Sequence, residues 1–233
     1  MIKLLNKNCI DVMKNYTDDY FDIGIVDPPY GIGDWTKKYP NHGPKNKNAK
    51  SQQKTPTTRK EHVDWNGTKP DKKYFDELLR ISKHQVIFGA NYFNQFVGKS
   101  GALIWLKGVP LSSNLSTCEI ASYSRFTKVI HINSKWQNVN RRCETIHPCQ
   151  KPIDLYEQIL DIEIKSMKGK KLKVFDSHFG SGSLAIACMI KGCDFVGCEI
   201  SEVYFQRALK RIQNHKLQSK LFETNHEFEI CTA

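Results

Sequence analysis

Nowhere in these 233 residues is there an apolar run of about 18, so no segment reads as a membrane-spanning helix. The opening Met1-Ile2-Lys3-Leu4-Leu5 turns polar at once, which speaks against a secretory signal peptide. Acids are scarce. Asp and Glu number 24 against 35 Lys and Arg, a net charge of +11, and an excess of that size points to a polyanionic partner, nucleic acid first. Eight cysteines include no Cys-x-x-Cys pair. Cys188, Cys193 and Cys198 sit in an apolar stretch where free thiols pack as small hydrophobes. Cys143, His147 and Cys149 could offer three metal ligands, but no fourth is evident, and no metal is expected. Internal repeats are also missing. The expectation is a reduced, cytoplasmic protein whose length suits one domain, residues 1–233.

Against these absences stands a regular alternation. Ile2 to Leu5 reads as a strand, Cys9 to Tyr16 as a short helix and Phe21 to Val26 as a second strand. From Gly31 to Pro70 apolar runs nearly vanish, while Lys37, Lys38, Lys45, Lys47, Lys50, Lys54, Arg59, Lys60 and Lys69 accumulate. A stretch this long without periodicity is a functional loop or a disordered one. Tyr74, Phe75, Leu78 and Leu79 then mark an amphipathic helix, followed by strands at Gln85 to Phe88, Ala102 to Leu106, Cys118 to Tyr123 and Lys128 to Ile132. Tyr156, Ile159, Leu160 and Ile164 recur at helical spacing. Strand Leu172 to Phe175, helix Leu184 to Ile190, strand Phe195 to Glu199 and helix Glu202 to His215 alternate cleanly. Such alternation predicts an α/β fold, a doubly wound and mostly parallel sheet with helices on both faces. Lys216 to Ala233 is polar and gives no expectation.

Two segments carry chemistry. The strand ending in Ile25-Val26 runs into Asp27-Pro28-Pro29-Tyr30, where two prolines stiffen the chain just beyond a carboxylate. Acceptors beside an aromatic ring suit a planar amine, although an edge strand ending in a polar turn would look the same. The second segment is Asp176-Ser177-His178-Phe179-Gly180-Ser181-Gly182-Ser183, a strand end, a glycine turn and a helix start. Glycines let a ligand approach the backbone, and the helix start offers free N–H groups. Glu199, at the tip of the next strand, is placed to accept ribose hydroxyls as in nucleoside-cofactor sites. The turn lacks both the third glycine of a dinucleotide site and a Gly-Lys-Ser/Thr ending.

With His147-Pro148-Cys149-Gln150-Lys151-Pro152 between them, these motifs resemble, in kind and order, the β-class S-adenosylmethionine-dependent DNA amino-methyltransferases. The middle motif departs from the family's H-P-T-Q-K-P at Cys149 alone. Ser177 and His178 stand where the family has Pro-Phe, and Lys7-Asn8 replace the Gly-Asp that precedes Cys9. The resemblance implies a Rossmann-like methyltransferase fold with the basic loop as an insertion, and S-adenosylmethionine as cofactor. It places Asn8, Cys9, Asp27, Lys151, Asp176, His178, Phe179, Gly180, Ser181, Gly182, Ser183 and Glu199 around that cofactor.

By the same resemblance, Asp27, Pro28, Pro29 and Tyr30 are the catalytic set. Asp27 and the Pro28 carbonyl would accept the hydrogens of a flipped-out base amine while Tyr30 stacks on its ring. An acid in this box leans towards adenine N6; cytosine N4, an RNA acceptor and a catalytically silent DNA-binding subunit are the alternatives. Pro148-Cys149-Gln150 mimics the nucleophile loop of cytosine-C5 enzymes, but there the cofactor turn comes first in the chain. Double-stranded DNA is the expected partner, with Trp35, Lys37, Lys38, Arg59 and Lys60 of the 31–70 loop and Arg125, Arg141 and Arg142 of a short 125–146 recognition segment as contacts. Members of the family often pair into homodimers and often serve restriction–modification systems.

Overall fold

The computed structural model describes residues 1–33, 68–93, 100–113, 115–136, 146–147, 149–220 and 228–231, with side chains omitted for 218–220 and 228–231. Among them run β1 (Ile2–Leu5), α1 (Cys9–Met13), β2 (Phe21–Val26), α2 (Lys72–Ile81), β3 (Ser82–Phe88), α3 (Ala90–Phe93), β4 (Gly101–Leu106), β5 (Cys118–Tyr123) and β6 (Val129–Asn133). They continue through α4 (Ile153–Ile164), β7 (Lys173–Asp176), α5 (Ser183–Ile190), β8 (Asp194–Cys198), α6 (Glu202–Lys220) and β9 (Phe228–Cys231). The nine strands form one sheet in the order β6-β4-β5-β3-β2-β7-β8-β1-β9. Every described pairing is parallel except the two that β5 makes, with β3 and β4.

Period-two burial divides the core between two faces. Val86 and Phe88 of β3, Val174 of β7 and Phe195 of β8 pack with Leu155, Ile159, Leu184 and Phe205 from α4, α5 and α6. Ile87, Phe175 and Val196 point the other way, against Val12 and Met13 of α1 and Tyr74, Phe75, Leu78 and Ile81 of α2. Helices therefore cover both faces, as the alternation predicts. Gly24, inside β2, leaves room for α2: a Cβ there would stand 2.9 Å from Leu78 Cδ1. Asp71 caps α2 by accepting the Tyr74 N–H at 3.0 Å.

Two expectations change in detail. The first helix ends at Met13, and the chain turns through Asn15 and Tyr16, whose N–H groups reach the Val12 and Met13 carbonyls. The C-terminal segment, which gave no expectation, supplies β9 in parallel with β1. Tail strands of four residues with polar flanks carry little pattern of their own. No helix among the described residues is long and apolar enough to cross a membrane.

Parallel pairing sends the carboxyl ends of β1, β2, β3, β7 and β8 to one edge of the sheet. Since β5 runs against both β3 and β4, its first residues and the end of β4 reach that edge too. The opposite edge holds Arg125. Its Nε lies 2.8 Å from both carboxylate oxygens of fully buried Glu163, which also accepts the Tyr123 hydroxyl. The expectation that Arg125 belongs with the DNA contacts thus meets a guanidinium committed to the core, beside Asp22, Lys83 and His84. Removing one member of a buried pair strands the other charge. Arg125→Met is therefore expected to lower unfolding free energy by about 3–5 kcal/mol, read from the midpoint of urea denaturation; a change within error would deny the pair its structural weight.

Candidate active site

Asp27 follows directly from β2, and its carboxylate is one-fifth exposed. Oδ1 accepts the Tyr30 hydroxyl at 2.6 Å, and Oδ2 forms an ion pair with Lys151. Burial, then the neighbouring Asp27 charge, hold the Tyr30 phenol well above its ordinary pKa, so it remains a donor. The Tyr30 ring stacks on Tyr92 with centroids 4.9 Å apart and a 14° tilt. Gly89 makes this possible: its φ is +69°, and a Cβ there would fall 2.2 Å from Tyr30 Cε1. Pro28 is buried and Pro29 partly so.

The middle motif joins the other two. Lys151, only 4% exposed, reaches Asp27, while His147 lies beside the glycine turn, its ring 3.8 Å from where a Gly180 Cβ would be. Pro148 lies outside the described residues. Gln150 accepts the Ile146 N–H through Oε1 at 3.2 Å, and His147 Nδ1 accepts the Cys149 N–H at 3.2 Å. The His147 ring meets Tyr204 of α6 edge-on at 4.6 Å. Burial and the Lys151 charge lower the His147 pKa to about 4. Although the Cys149 residue touches solvent, desolvation of its thiol and the Asp27 charge push the group up to about 11. A thiol held that high is a poor thiolate nucleophile.

At the end of β7, Asp176 accepts the His178 N–H at 3.0 Å. Burial, and the Asp27 and Glu199 charges, push its carboxyl up to about 8. Ser177 and His178, the two departures from the family's Pro-Phe, form a chain: Tyr74 and Ser177 hydroxyls lie 2.6 Å apart, and Ser177 Oγ lies 2.8 Å from His178 Nδ1. Desolvation drops the His178 pKa to about 4. Phe179 is buried against Phe205 and donates its N–H to the Cys198 carbonyl at 3.1 Å. Gly180 donates its N–H to Glu199 Oε2 at 3.1 Å, and Ser201 donates to Oε1 at 2.9 Å. Burial raises the Glu199 pKa, partly offset by these amides. Gly182, φ +74°, caps α5 where a Cβ would stand 2.8 Å from Ile212 Cδ1. The Ser181 and Ser183 hydroxyls are 3.2 Å apart, and Arg211 donates to the Ser181 carbonyl at 2.8 Å and to Ser183 Oγ at 2.9 Å.

At the tip of β1, the Asn8 side-chain oxygen accepts the Ile10 N–H at 2.9 Å and caps α1. Burial pushes the Cys9 thiol up to about 11. The strand tips thus gather Asn8, Cys9, Asp27, Tyr30, Lys151, Asp176, His178, Phe179, Gly180, Ser181, Gly182, Ser183 and Glu199 along one edge. Trp35, Lys37, Lys38, Arg59, Lys60, Arg141, Arg142 and Cys143 lie outside the described residues.

Sequence reasoning missed two strand-end residues. Lys107, just beyond β4, places Nζ 2.9 Å from Glu119 Oε1 on β5, and Glu119 Oε2 lies 3.3 Å from Lys151 Nζ. Lys107 stands over Trp105 and Trp136, with Nζ 5.3 and 5.1 Å from the ring centroids, and Lys151 over Phe88 at 4.6 Å. Burial opposes ionisation of Glu119, yet Lys151 and Lys107 bring its pKa below the ordinary value. Burial likewise opposes protonation of Lys151, and the Asp27 and Glu119 carboxylates outweigh it. A lysine one residue before the N-cap of α4 faces an unfavourable helix dipole, which these two acids overcome.

A family model for N6/N4 DNA methylases matches residues 34–210, a span that begins just after the Asp27 box. Among solved structures, the M1.HpyAVI–SAM complex matches with TM-score 0.52 at 21% identity, over 91% of this chain and 100% of that one. A putative DNA modification methylase from Thermus thermophilus matches with TM-score 0.55 at 13% identity, over the whole of both chains. PvuII DNA methyltransferase, cytosine-N4-specific, matches with TM-score 0.55 at 10% identity, over 94% of this chain and 93% of that one. These likenesses establish the fold. A search of curated proteins gave no match.

The desolvated rings of His147 and His178, both partly exposed residues, make a stability prediction. Their folded pKa of about 4 lies below the unfolded value of 6.5, so the stability they carry is full above pH 6.5 and is lost as pH falls towards 4. His178→Gln is expected to flatten the acid limb of the stability–pH curve by roughly 2–3 kcal/mol between those limits. Parallel acid limbs in wild type and variant would contradict a desolvated, neutral His178.

Proposed function

Since the chain belongs to the N6/N4 family of DNA methylases, we propose that it moves a methyl group from S-adenosylmethionine to the exocyclic N6 of adenine in duplex DNA. One observation carries the reading: Lys151 on Asp27 and His147 against Gly180 tie the acidic box and the glycine turn into a single cleft. The residues present fit the cofactor. Side-chain-free Gly180 and Gly182 flank the start of α5, no described residue meets a Cβ at Gly180 closer than 3.8 Å, and Glu199 stands at the adjacent strand tip. Glu199 would accept hydrogen bonds from the ribose hydroxyls, N–H groups at the start of α5 would donate to the carboxylate tail, and Asn8 with Cys9 would border the adenine. When bound, S-adenosylmethionine supplies a methyl group on a positively charged sulfur.

This chain's residues do the rest by position and charge. An exocyclic amine is a weak nucleophile because its lone pair is delocalised into the ring. Asp27 and the Pro28 carbonyl accept its hydrogens, which draws the nitrogen towards tetrahedral geometry and frees the lone pair. The Asp27 carboxylate also stabilises positive charge growing on that nitrogen, in a cleft that excludes much of the water. Tyr30, backed by Tyr92, gives the base a platform worth about 1–3 kcal/mol, against the few kcal/mol that base flipping costs. Residues 31–70, and 125–146 apart from the core-bound Arg125, are the proposed DNA-engaging segments of this single domain, and the net charge of +11 favours their duplex partner. Cytosine N4 is the second reading, favoured by the likeness to the PvuII enzyme; an acid in the box weighs towards adenine.

Purified protein with methyl-labelled S-adenosylmethionine and duplex DNA, followed by nucleoside analysis, is expected to yield N6-methyladenine. Label at cytosine N4 would move the acceptor, and label in no DNA base would refute the reading. Asp27→Ala should lower turnover by about 10²–10³-fold in a folded protein. Glu199→Ala should weaken cofactor binding by roughly 10–100-fold, the loss of a hydrogen bond to a charged group. Undiminished values for either would remove the role given to that residue.

A further inference from the structure

Both oxygens of Asp27 have occupants: the Tyr30 hydroxyl on Oδ1 and the Lys151 ammonium on Oδ2. An amine that donates to this carboxylate must displace one of them. Tyr30 is held by its stack on Tyr92 and by Gly89. Lys151 has somewhere to go. Glu119 Oε2 lies 3.3 Å from Lys151 Nζ, and this buried oxygen accepts no hydrogen bond from the described residues. Glu119 itself is fixed: Lys107 grips Oε1 at 2.9 Å from a site between Trp105 and Trp136. Lys107, Glu119, Lys151 and Asp27 therefore alternate in sign from one side of the cleft to the acidic box.

Resting on the methyl-transfer reading of this site, we propose that Lys151 and Glu119 are positioning residues: Lys151 anchors the Asp27 carboxylate before the base enters, then shifts onto Glu119 when the base amine claims Oδ2. After the shift Lys151 shares Glu119 with Lys107, and Asp27 keeps two neutral donors, the Tyr30 hydroxyl and the base amine. Without Glu119, a displaced ammonium would stay buried and unpaired, a costly state, so Lys151 would remain on Asp27 and compete with the amine. Among the described residues Lys151 meets two carboxylates and the rings of Phe88 and Trp105, and the proposal gives it to Asp27 rather than to the cofactor. That differs from the cofactor contact the family resemblance implies for this lysine.

Glu119→Gln and Lys151→Met test this in the full-length enzyme through kcat on duplex DNA, cofactor dissociation constant by calorimetry, and thermal unfolding. Each variant is expected to lose about 10–100-fold in kcat, the usual effect of removing a residue that orients a reacting group, while cofactor affinity moves less than about threefold. The double variant should lose no more than the worse single one, since the pair acts as a unit. A tenfold or greater weakening of cofactor binding in Lys151→Met would make the lysine a cofactor contact and overturn the proposal. Wild-type kcat in folded Glu119→Gln would overturn it as well, and that variant carries the test alone if Lys151→Met does not fold. Wild-type enzyme that methylates no DNA base would instead refute the underlying reading, and this inference with it.

Discussion

Parallel pairing of β2 with β7 is the constraint on which the rest depends. Ile23 faces Val174 and Gly24 faces Phe175, so Asp27 and the residues after Asp176 leave the sheet side by side. The chain leads from β2 to β3 on one side and from β7 to β8 on the other, and a crevice opens where the two directions part. Everything at the cleft is hung from this arrangement. β8 adds Glu199, β1 adds Asn8 and Cys9, and the reversed β5 adds Glu119 from its own beginning. A pairing between segments so distant in sequence forms only when both faces of the sheet are covered, and α1 and α2 on one side with α4, α5 and α6 on the other provide that cover.

Bringing acids together at one edge has an electrostatic cost that the molecule meets in two ways. Asp176, deep in the edge, is pushed towards its neutral form near pH 8 and accepts a backbone N–H from His178. Asp27 is met by a cation, and that cation by further charges of alternating sign. A chain of this kind is weak evidence for stability, since desolvating four charges opposes their mutual attraction. Its value lies in direction. The carboxylate is held in one orientation by a phenol and an ammonium, and the ammonium has a second acid within reach.

Much of this is legible in the chain. Strand and helix order follows from apolar period and from breakers such as Pro28 and Gly180, and three motifs in order point to one chemistry. Pairing between charges is concealed. Lys107 and Glu119 read as ordinary polar strand ends, because nothing in linear order says that β5 reverses and lays Glu119 between two lysines. Arg125 looks like one more surface cation, while its partner Glu163 hides in an apolar helical pattern 38 residues on. Asn8 reads as a spare acceptor, and the structure shows that acceptor capping α1. Ser177 and His178 look like departures from the family pattern; Tyr74, 103 residues before Ser177, turns them into a hydrogen-bonded unit.

The most direct measurement is a structure of this protein with S-adenosylhomocysteine and a duplex bearing the target base. The account predicts ribose hydroxyls at Glu199, the sulfur facing Asp27 across one cleft, and an extruded base whose amine donates to Asp27 beside Tyr30. A cofactor lodged away from the Gly180 turn, or a sulfur separated from Asp27 by the sheet edge, would contradict it.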